Sequence, residues 1–497
     1  MGFNCVRLTW ATHMFTRYNR KTVVQSLRDL NLTNAITGIR KNNPQVLDLT
    51  VVDALSMVVN VITSVGIMVV LDNHVSEPMW CCSNNDGNGF FGDKYFDPRE
   101  WLDGLSIVGR RYRDTQMVVA MSLRNELRGP RQNASEWYRW VREGAIEIHR
   151  VNPELLVVVS GLNYDLDFTM LKSKPLGLED MLPNKLVYEA HRYSWSGGRG
   201  KWLGPSLNKI CNSVTSDINE KVGFLTTWSH KAPLFISEFG VNLMGSNRAD
   251  NNFLPCYMAY LVGLDLDWAL WALQGSYYVR HGVQNMEEPY GLLDANWTQL
   301  RNPGFNRKLY LLHQTLQDPE ETSRSNHTFM YHPLSGLCVV SNHKNQIFAN
   351  ECHHLTGWSH GGDLSPIQLQ GLSLCIQAVG DGLPVRLTTD CHAKQSAWIS
   401  LPNSMFQISS KDDNGLDLCL ELDRHNILSK RCICTGDDCL ENSQTQWFQF
   451  EAYGDSLAMA RLHQRLPEFG WKILSVVVAD ACGPVTTGRG SGVAKDC

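Results

Sequence analysis

Short apolar runs rich in Val, Ile and Leu recur through the first 273 residues, at 4–9, 66–72, 116–123, 155–160, 185–191, 233–237 and 267–273. Amphipathic or capped helical stretches lie between them. Asp97-Pro98 pairs an N-cap residue with a first-turn proline and opens a helix through Tyr112. After Ser135, the residues Trp137, Trp140, Val141 and Ile148 return at helical spacing. Strands that alternate with helices over this length build parallel βα units, either as a doubly wound sheet or as a (β/α)8 barrel. Seven strands are legible where a barrel needs eight.

The 18-residue stretch 54–71 has no charge and sits at the lower limit for a membrane span. Asn60, Thr63 and Ser64 interrupt it, and Gly66 precedes the β-branched run that follows. It reads as a helix ending near Ser64 and then a buried parallel strand. The net charge of −5, with no basic block, gives nothing to draw the chain to nucleic acid or to an anionic membrane.

Beyond residue 317 the helical period stops. Residues 318–327 form a polar, charged connector, and residues 328–450 then repeat one pattern three times. Each copy has Leu-Cys-apolar, a second Cys 13 to 16 residues on, and a hydroxyl-x-Trp close behind: Cys338, Cys352 and Trp358; Cys375, Cys391 and Trp398; Cys419, Cys432 and Trp447. Three Cys-paired, strand-rich units of about 40 residues imply hairpins around a pseudo-threefold axis, and the pattern resembles a ricin B-type β-trefoil. Cysteine is dense here, as in a disulfide-stapled secreted module. Sequons at Asn31, Asn133, Asn296 and Asn326 suit the same compartment. The run from Cys432 to Cys439 fits a local disulfide better than zinc in an oxidising compartment. Residues 451–497 resemble neither domain and hold one apolar run at 473–479.

Two strand ends carry carboxylates. Asn125-Glu126 follows one apolar run, and Glu238 ends another 112 residues later. Taken singly, each could be a helix cap or an ordinary turn. In a parallel barrel, however, all strand C-termini meet on one face, so the two acids can converge. Facing carboxylates are the usual equipment for hydrolysing a glycosidic bond.

Further motifs, in order, resemble glycoside hydrolase family 5, the cellulase and mannanase family of barrel enzymes with catalytic glutamates on strands four and seven. The resemblance covers residues 1 to about 317. It rests on GFNCVRLTW with Arg7, VVLDNH with His74, RNE with Asn125 and Glu126, AHRYSW with His191 and Tyr193, SEFG with Glu238, and DWALWAL with Trp271. It implies Glu126 as general acid/base, Glu238 as nucleophile of a retaining mechanism, Arg7 holding the nucleophile and Asn125 bonding the 2-hydroxyl. It also implies Trp271 as a sugar-stacking platform, with His74, His191 and Tyr193 in the substrate site. No cofactor is implied. No metal is expected, since neither histidine lies in a ligand-spaced pair.

The chain departs from the family pattern at Leu127, where proline usually follows Asn-Glu. The loop WCCSNNDGNGFFGD holds the vicinal Cys81-Cys82, for which Cys211 and Cys256 are possible partners. Its Trp80, Phe90 and Phe91 could line a subsite or simply pack the loop. In the trefoil, the positions that carry Asp and Gln in sugar-binding repeats hold Val340, Gln377 and Glu421, then Thr356, Ser396 and Thr445. That favours a docking module over a lectin.

The expectation is therefore a secreted, extracellular (cell-wall), monomeric hydrolase of cellulose, β-glucan or mannan. The alternative is an inactive carbohydrate-binding protein that uses its trefoil. Because MGFNCVRLTW matches the second barrel strand of the family, the barrel is expected to lack its first strand in an N-terminally truncated chain. An open seam would then lie between the strand at residue 4 and the one at 267.

Overall fold

The computed structural model describes residues 2–228, 233–314, 316, 328–353, 355–401, 404–436, 439, 441–452 and 472–476. The connector at 318–327, the sequon at Asn326 and the rest of the tail beyond 452 lie outside the described residues. Strands β1 (Cys5–Ala11), β2 (Met68–Val75), β3 (Val118–Ser122), β4 (Leu156–Val159), β5 (Leu186–Arg192), β6 (Leu234–Phe239) and β7 (Asp267–Leu270) run parallel, each hydrogen-bonded to the next in chain order.

The helices between them start where the sequence has capping groups. Helix α1 (Val51–Ser64) is capped by the Thr50 side chain, which accepts from the Asp53 N–H. It ends before β2, so the uncharged stretch divides into a helix and a strand. No helix among the described residues is long and apolar enough to cross a membrane. Helix α2 (Pro98–Arg111) is capped by Asp97, with Pro98 in its first turn. Helix α3 (Ala134–Val151) begins slightly before Ser135, because the Asn133 side chain accepts the Glu136 N–H at 2.8 Å and caps the helix.

The seam is closed, which corrects the expectation of two unpaired strand edges. A further parallel strand, β8 (Lys472–Val476), lies between β1 and β7 and completes the barrel. Cys5 to Leu8 pair with Ile473 to Val476, and Lys472 to Leu474 pair with Trp268 to Leu270. The strand comes from the apolar run of the tail. Seven strands would leave two rows of backbone N–H and C=O groups without partners, and an apolar segment that reaches them satisfies both rows at once. Leu474→Pro removes one ladder donor from this central position. It is expected to lower the melting temperature and to produce concentration-dependent aggregation by size-exclusion chromatography; an unchanged profile would exclude β8 from the barrel.

Inside the barrel, Cys5, Val70, Ala120, Val158, Val187, Phe235 and Ala269 form one layer, one residue from each of β1 to β7. Alternate residues such as Leu8, Trp10, Leu71 and Val157 face outward into the larger core under the helices. A disulfide between Cys211 and Cys256 ties helix α4 (Leu207–Lys221) to helix α5 (Arg248–Leu264).

The strands from Thr328–His332 to Gln449–Ala452 make a separate all-β sheet, consistent with a trefoil. Each repeat closes its own bridge: Cys338–Cys352, Cys375–Cys391 and Cys419–Cys432. The run ending at Cys439 holds a local bridge, Cys434–Cys439. The three repeat tryptophans are fully buried. Trp358 and Trp398 donate their indole N–H to Val339 and Ile376 carbonyls, both at 2.9 Å, inside their own repeats. Trp447 instead donates to Asn208 Oδ1 of α4 at 2.7 Å. The Asn208 amide also donates to Gln407 Oε1 at 2.7 Å, and Gln444 donates to the Asn252 carbonyl of α5 at 2.7 Å. The third repeat is thus bonded to the barrel's outer helices.

Candidate active site

Strand periodicity decides which polar side chains enter the barrel. Cys5 belongs to the inner layer, so Arg7, two residues on, also points inward and is fully buried. The same step from Val70 takes Asp72 and His74 inside, and from Val187 it takes Glu189 and His191. Glu238 breaks the pattern. Simple alternation from Phe235 would turn it outward, but the register shifts between Ile236 and Phe239 and sets Glu238 opposite His191. One irregularity in the ladder exchanges the faces of the residues after it.

Arg7 is the hub. Its Nη1 donates to Glu238 Oε1 at 2.7 Å, and its Nη2 donates to Asn125 Oδ1 at 2.8 Å. Asp72 Oδ1 lies 3.1 Å and Glu189 Oε2 3.8 Å from the same guanidinium. Tyr193 donates its hydroxyl to Glu238 Oε2 at 2.9 Å, so both oxygens of Glu238 are held. Burial works against ionising Asp72. The Arg7 charge and the His74 Nδ1 hydrogen bond at 2.7 Å outweigh it and keep this carboxyl well below its usual range. Burial pushes Glu189 up to about 7, despite Arg7.

Glu126 sits just past β3 with φ 47, in the left-handed region. Its N–H donates to Asp165 Oδ2 at 2.8 Å, and its carbonyl accepts from Arg128 Nη1 at 2.7 Å. Asp165 has φ 57 and follows Asn163 and Tyr164 at φ 56 and 62. Such positions cost about 1–3 kcal/mol each and persist where the surroundings over-determine them. His191 Nδ1 lies 3.0 Å from Glu126 Oε1 and 3.6 Å from Glu238 Oε2, while its Nε2 lies 3.6 Å from Asp165 Oδ2. Burial lowers the imidazole to about 4, so His191 is neutral near pH 7. Burial also raises the Glu126 carboxyl, against the nearby charges of Arg128 and His74. Asp165 is raised well above its ordinary range by burial and by the charges of Glu189 and Glu126.

Aromatic faces border this cluster. The Trp271 ring is part-exposed and stacks on His74 at 5.8 Å with a 10° interplanar angle. Trp195 is 46% exposed and stacks at 4.5 Å on Tyr193. In the loop after β2, Phe90 and Phe91 are buried among Phe96, Trp101 and Trp140 and pack the loop. Trp80 stays part-exposed, 4.7 Å from the His281 ring and under the Arg280 guanidinium. Cys81 and Cys82 bridge each other, and Cys211 and Cys256 take no part.

Of the eight residues singled out in the sequence, His74, Asn125, Glu126, His191, Tyr193, Glu238 and Trp271 therefore lie at or just past the C-terminal ends of the strands, and Arg7, from the middle of β1, reaches them through the barrel interior. Asp72, Glu189 and Asp165 were not among the eight. The first two were readable, since each lies two residues before a site histidine and so on the same strand face. Asp165 comes from a left-handed turn that leaves no periodic trace. Ligand atoms of Glu126, His191 and Glu238 fall within 4.8 Å of one another, a spacing that could hold a cation. The Arg7 guanidinium already supplies positive charge there.

Glu126, part-exposed, and Glu238, buried, thus face each other on one face of a parallel barrel. The cellulase model of glycosyl hydrolase family 5 matches residues 1–276. A glycosyl hydrolase 5 family protein of Chamaecyparis obtusa is 41% identical over 467 residues, covering 90% of this chain and 83% of that protein. The major extracellular endoglucanase of Xanthomonas campestris pv. campestris is 25% identical over 325 residues, 61% of this chain and 58% of that protein. A solved hyperthermophilic endocellulase from the archaeon Pyrococcus horikoshii aligns with a TM-score of 0.48 at 17% identity, over 63% of this chain and 83% of that one. The chain belongs to glycosyl hydrolase family 5.

Proposed function

We propose that this chain is a retaining β-glycosidase that cleaves β-linked glucan, with β-mannan as the next substrate class. The carrying observation is the carboxyl pair: an oxygen of Glu126 and one of Glu238 lie within 4.8 Å. Retaining enzymes hold the two groups about 5–5.5 Å apart, whereas inverting enzymes need roughly 6.5–9.5 Å to admit a water between acid and sugar. Glu126, whose carboxyl is raised by burial, protonates the leaving oxygen. Glu238, held by Arg7 and Tyr193 on its two oxygens, attacks the anomeric carbon. Glu126 then takes a proton from the water that releases the sugar. Asn125 donates to the 2-hydroxyl, His74 and His191 meet substrate hydroxyls, and Trp271 stacks against the sugar face.

The all-β region acts as a docking module in this reading. Its one remaining acid at the lectin positions, Glu421, is taken up by Lys430 at 2.7 Å and Gln446 at 3.0 Å. Gln377 accepts from Arg386 at 2.9 Å. Six disulfides among the described residues suit a secreted protein. The test is hydrolysis of β-1,4-glucan, β-1,4-mannan and aryl β-glycosides by the full chain, with the first-formed anomer read by proton NMR. Release of the β-anomer from glucan is expected. The α-anomer first would overturn retention, and no hydrolysis of any substrate would favour a carbohydrate-binding protein.

A further inference from the structure

The Asn125 amide is held from both ends. Its Oδ1 accepts from Arg7, which anchors one end of the amide and leaves its tilt about that bond to be set by what the Nδ2 meets. That Nδ2 lies 3.6 Å from Cys81 Sγ and 3.7 Å from Cys82 Sγ, the two sulfurs of one bridge. A ring nitrogen of His74 is within 4.8 Å of the same sulfurs. Every other bridge among the described residues has at least one buried cysteine, and Cys211–Cys256 and Cys338–Cys352 have two each. Cys81 and Cys82 are both part-exposed. A dithiol in solution can therefore approach this bridge at either sulfur, and thiol–disulfide exchange requires such access.

We propose that the Cys81–Cys82 bridge is a reducible positioning element for Asn125, so that the catalytic cleft is redox-sensitive. In the bridged form the sulfurs carry no hydrogen and only accept, which suits the Nδ2 donor. Reduction by a dithiol transfers two electrons and two protons. The S–S bond breaks, two thiols form, and the reductant closes to its own disulfide. Two S–H groups are donors facing a donor. Their sulfurs also move apart from bonding distance, about 2.05 Å, to non-bonded contact, which presses one of them toward the amide. Asn125 loses its fixed orientation while Arg7 and Glu238 keep theirs.

This inference rests on the reading of Asn125 as the donor to the substrate 2-hydroxyl, an interaction that strengthens in the transition state. Reduction is then expected to lower kcat about tenfold with KM within about twofold, the size of one lost transition-state hydrogen bond. The full chain is treated with dithiothreitol until mass spectrometry finds Cys81 and Cys82 alkylated and the other bridges intact. Matched samples left unalkylated are assayed before and after reoxidation, which is expected to restore kcat. The double variant Cys81→Ala/Cys82→Ala should show the lowered kcat and no response to dithiol. A readout independent of turnover is the Asn125 side-chain amide signal in asparagine-labelled protein, expected to shift on reduction of the native chain and not of the double variant. Unchanged kcat after reduction of both cysteines, or an amide signal that stays in place, overturns the proposal. A bridged chain inactive on every glycan overturns the proposed function instead, and the amide signal then decides this inference alone.

Discussion

Glu238→Gln is expected to lower kcat by at least about 10³-fold while leaving the melting temperature within a few degrees of the native value. The substitution keeps the size and shape of the side chain, so the packing opposite His191 survives. An amide can still accept from Arg7 Nη1, which lies 2.7 Å from Glu238 Oε1. What disappears is the carboxylate oxygen able to form a bond to the anomeric carbon. A loss confined to kcat, with circular dichroism unchanged, separates the chemical role from a structural one. Turnover comparable to the native chain would remove Glu238 as nucleophile.

Arg7→Met is expected to act on the fold. Arg7 is fully buried and is the guanidinium shared by Asp72, Glu189 and Glu238. Methionine fills much of the volume but leaves three buried acids without their cation. Removing one partner of a buried pair typically costs about 3–5 kcal/mol. The loss should also depend on pH. Asp72 is depressed in the folded state, so its contribution is present above its ordinary value near 3.8 and fades as the pH falls through its folded value. Without Arg7 that contribution is largely gone. Glu189 is raised to about 7, so its contribution is full below 4.5 and fades as the pH rises through about 7. Without Arg7 it rises further, and the penalty for ionising it in the fold grows. The difference in melting temperature between native and variant should therefore be larger at pH 8 than at pH 5. An equal or reversed difference would show that Arg7 does not carry the buried carboxylates.

Much of this site is legible in residue order because the strands impose a period of two. Arg7, His74 and His191 each fall on the inward face of a strand that the apolar runs already mark, and Asp72 and Glu189 follow by the same step. The three Cys-Trp repeats were likewise readable as units, and their short-range bridges formed within each repeat. The vicinal bridge was less so. Cys81, Cys82, Cys211 and Cys256 allowed other pairings, and only the approach of α4 to α5 assigned Cys211 to Cys256.

The amino-acid sequence by itself determined the family, the strand and helix order, and the identity of the residues at the strand ends, because these depend on local periodicity and on side-chain chemistry. The tertiary structure decided what depends on long-range pairing. The irregular ladder between β5 and β6 turns Glu238 inward against simple alternation. The left-handed turn at 163–165 brings Asp165 under the Glu126 backbone. Strand β8 comes from the far end of the chain to satisfy the edges of β1 and β7. A backbone donor or acceptor is satisfied by whichever segment reaches it in space, and residue order carries little trace of which segment that will be.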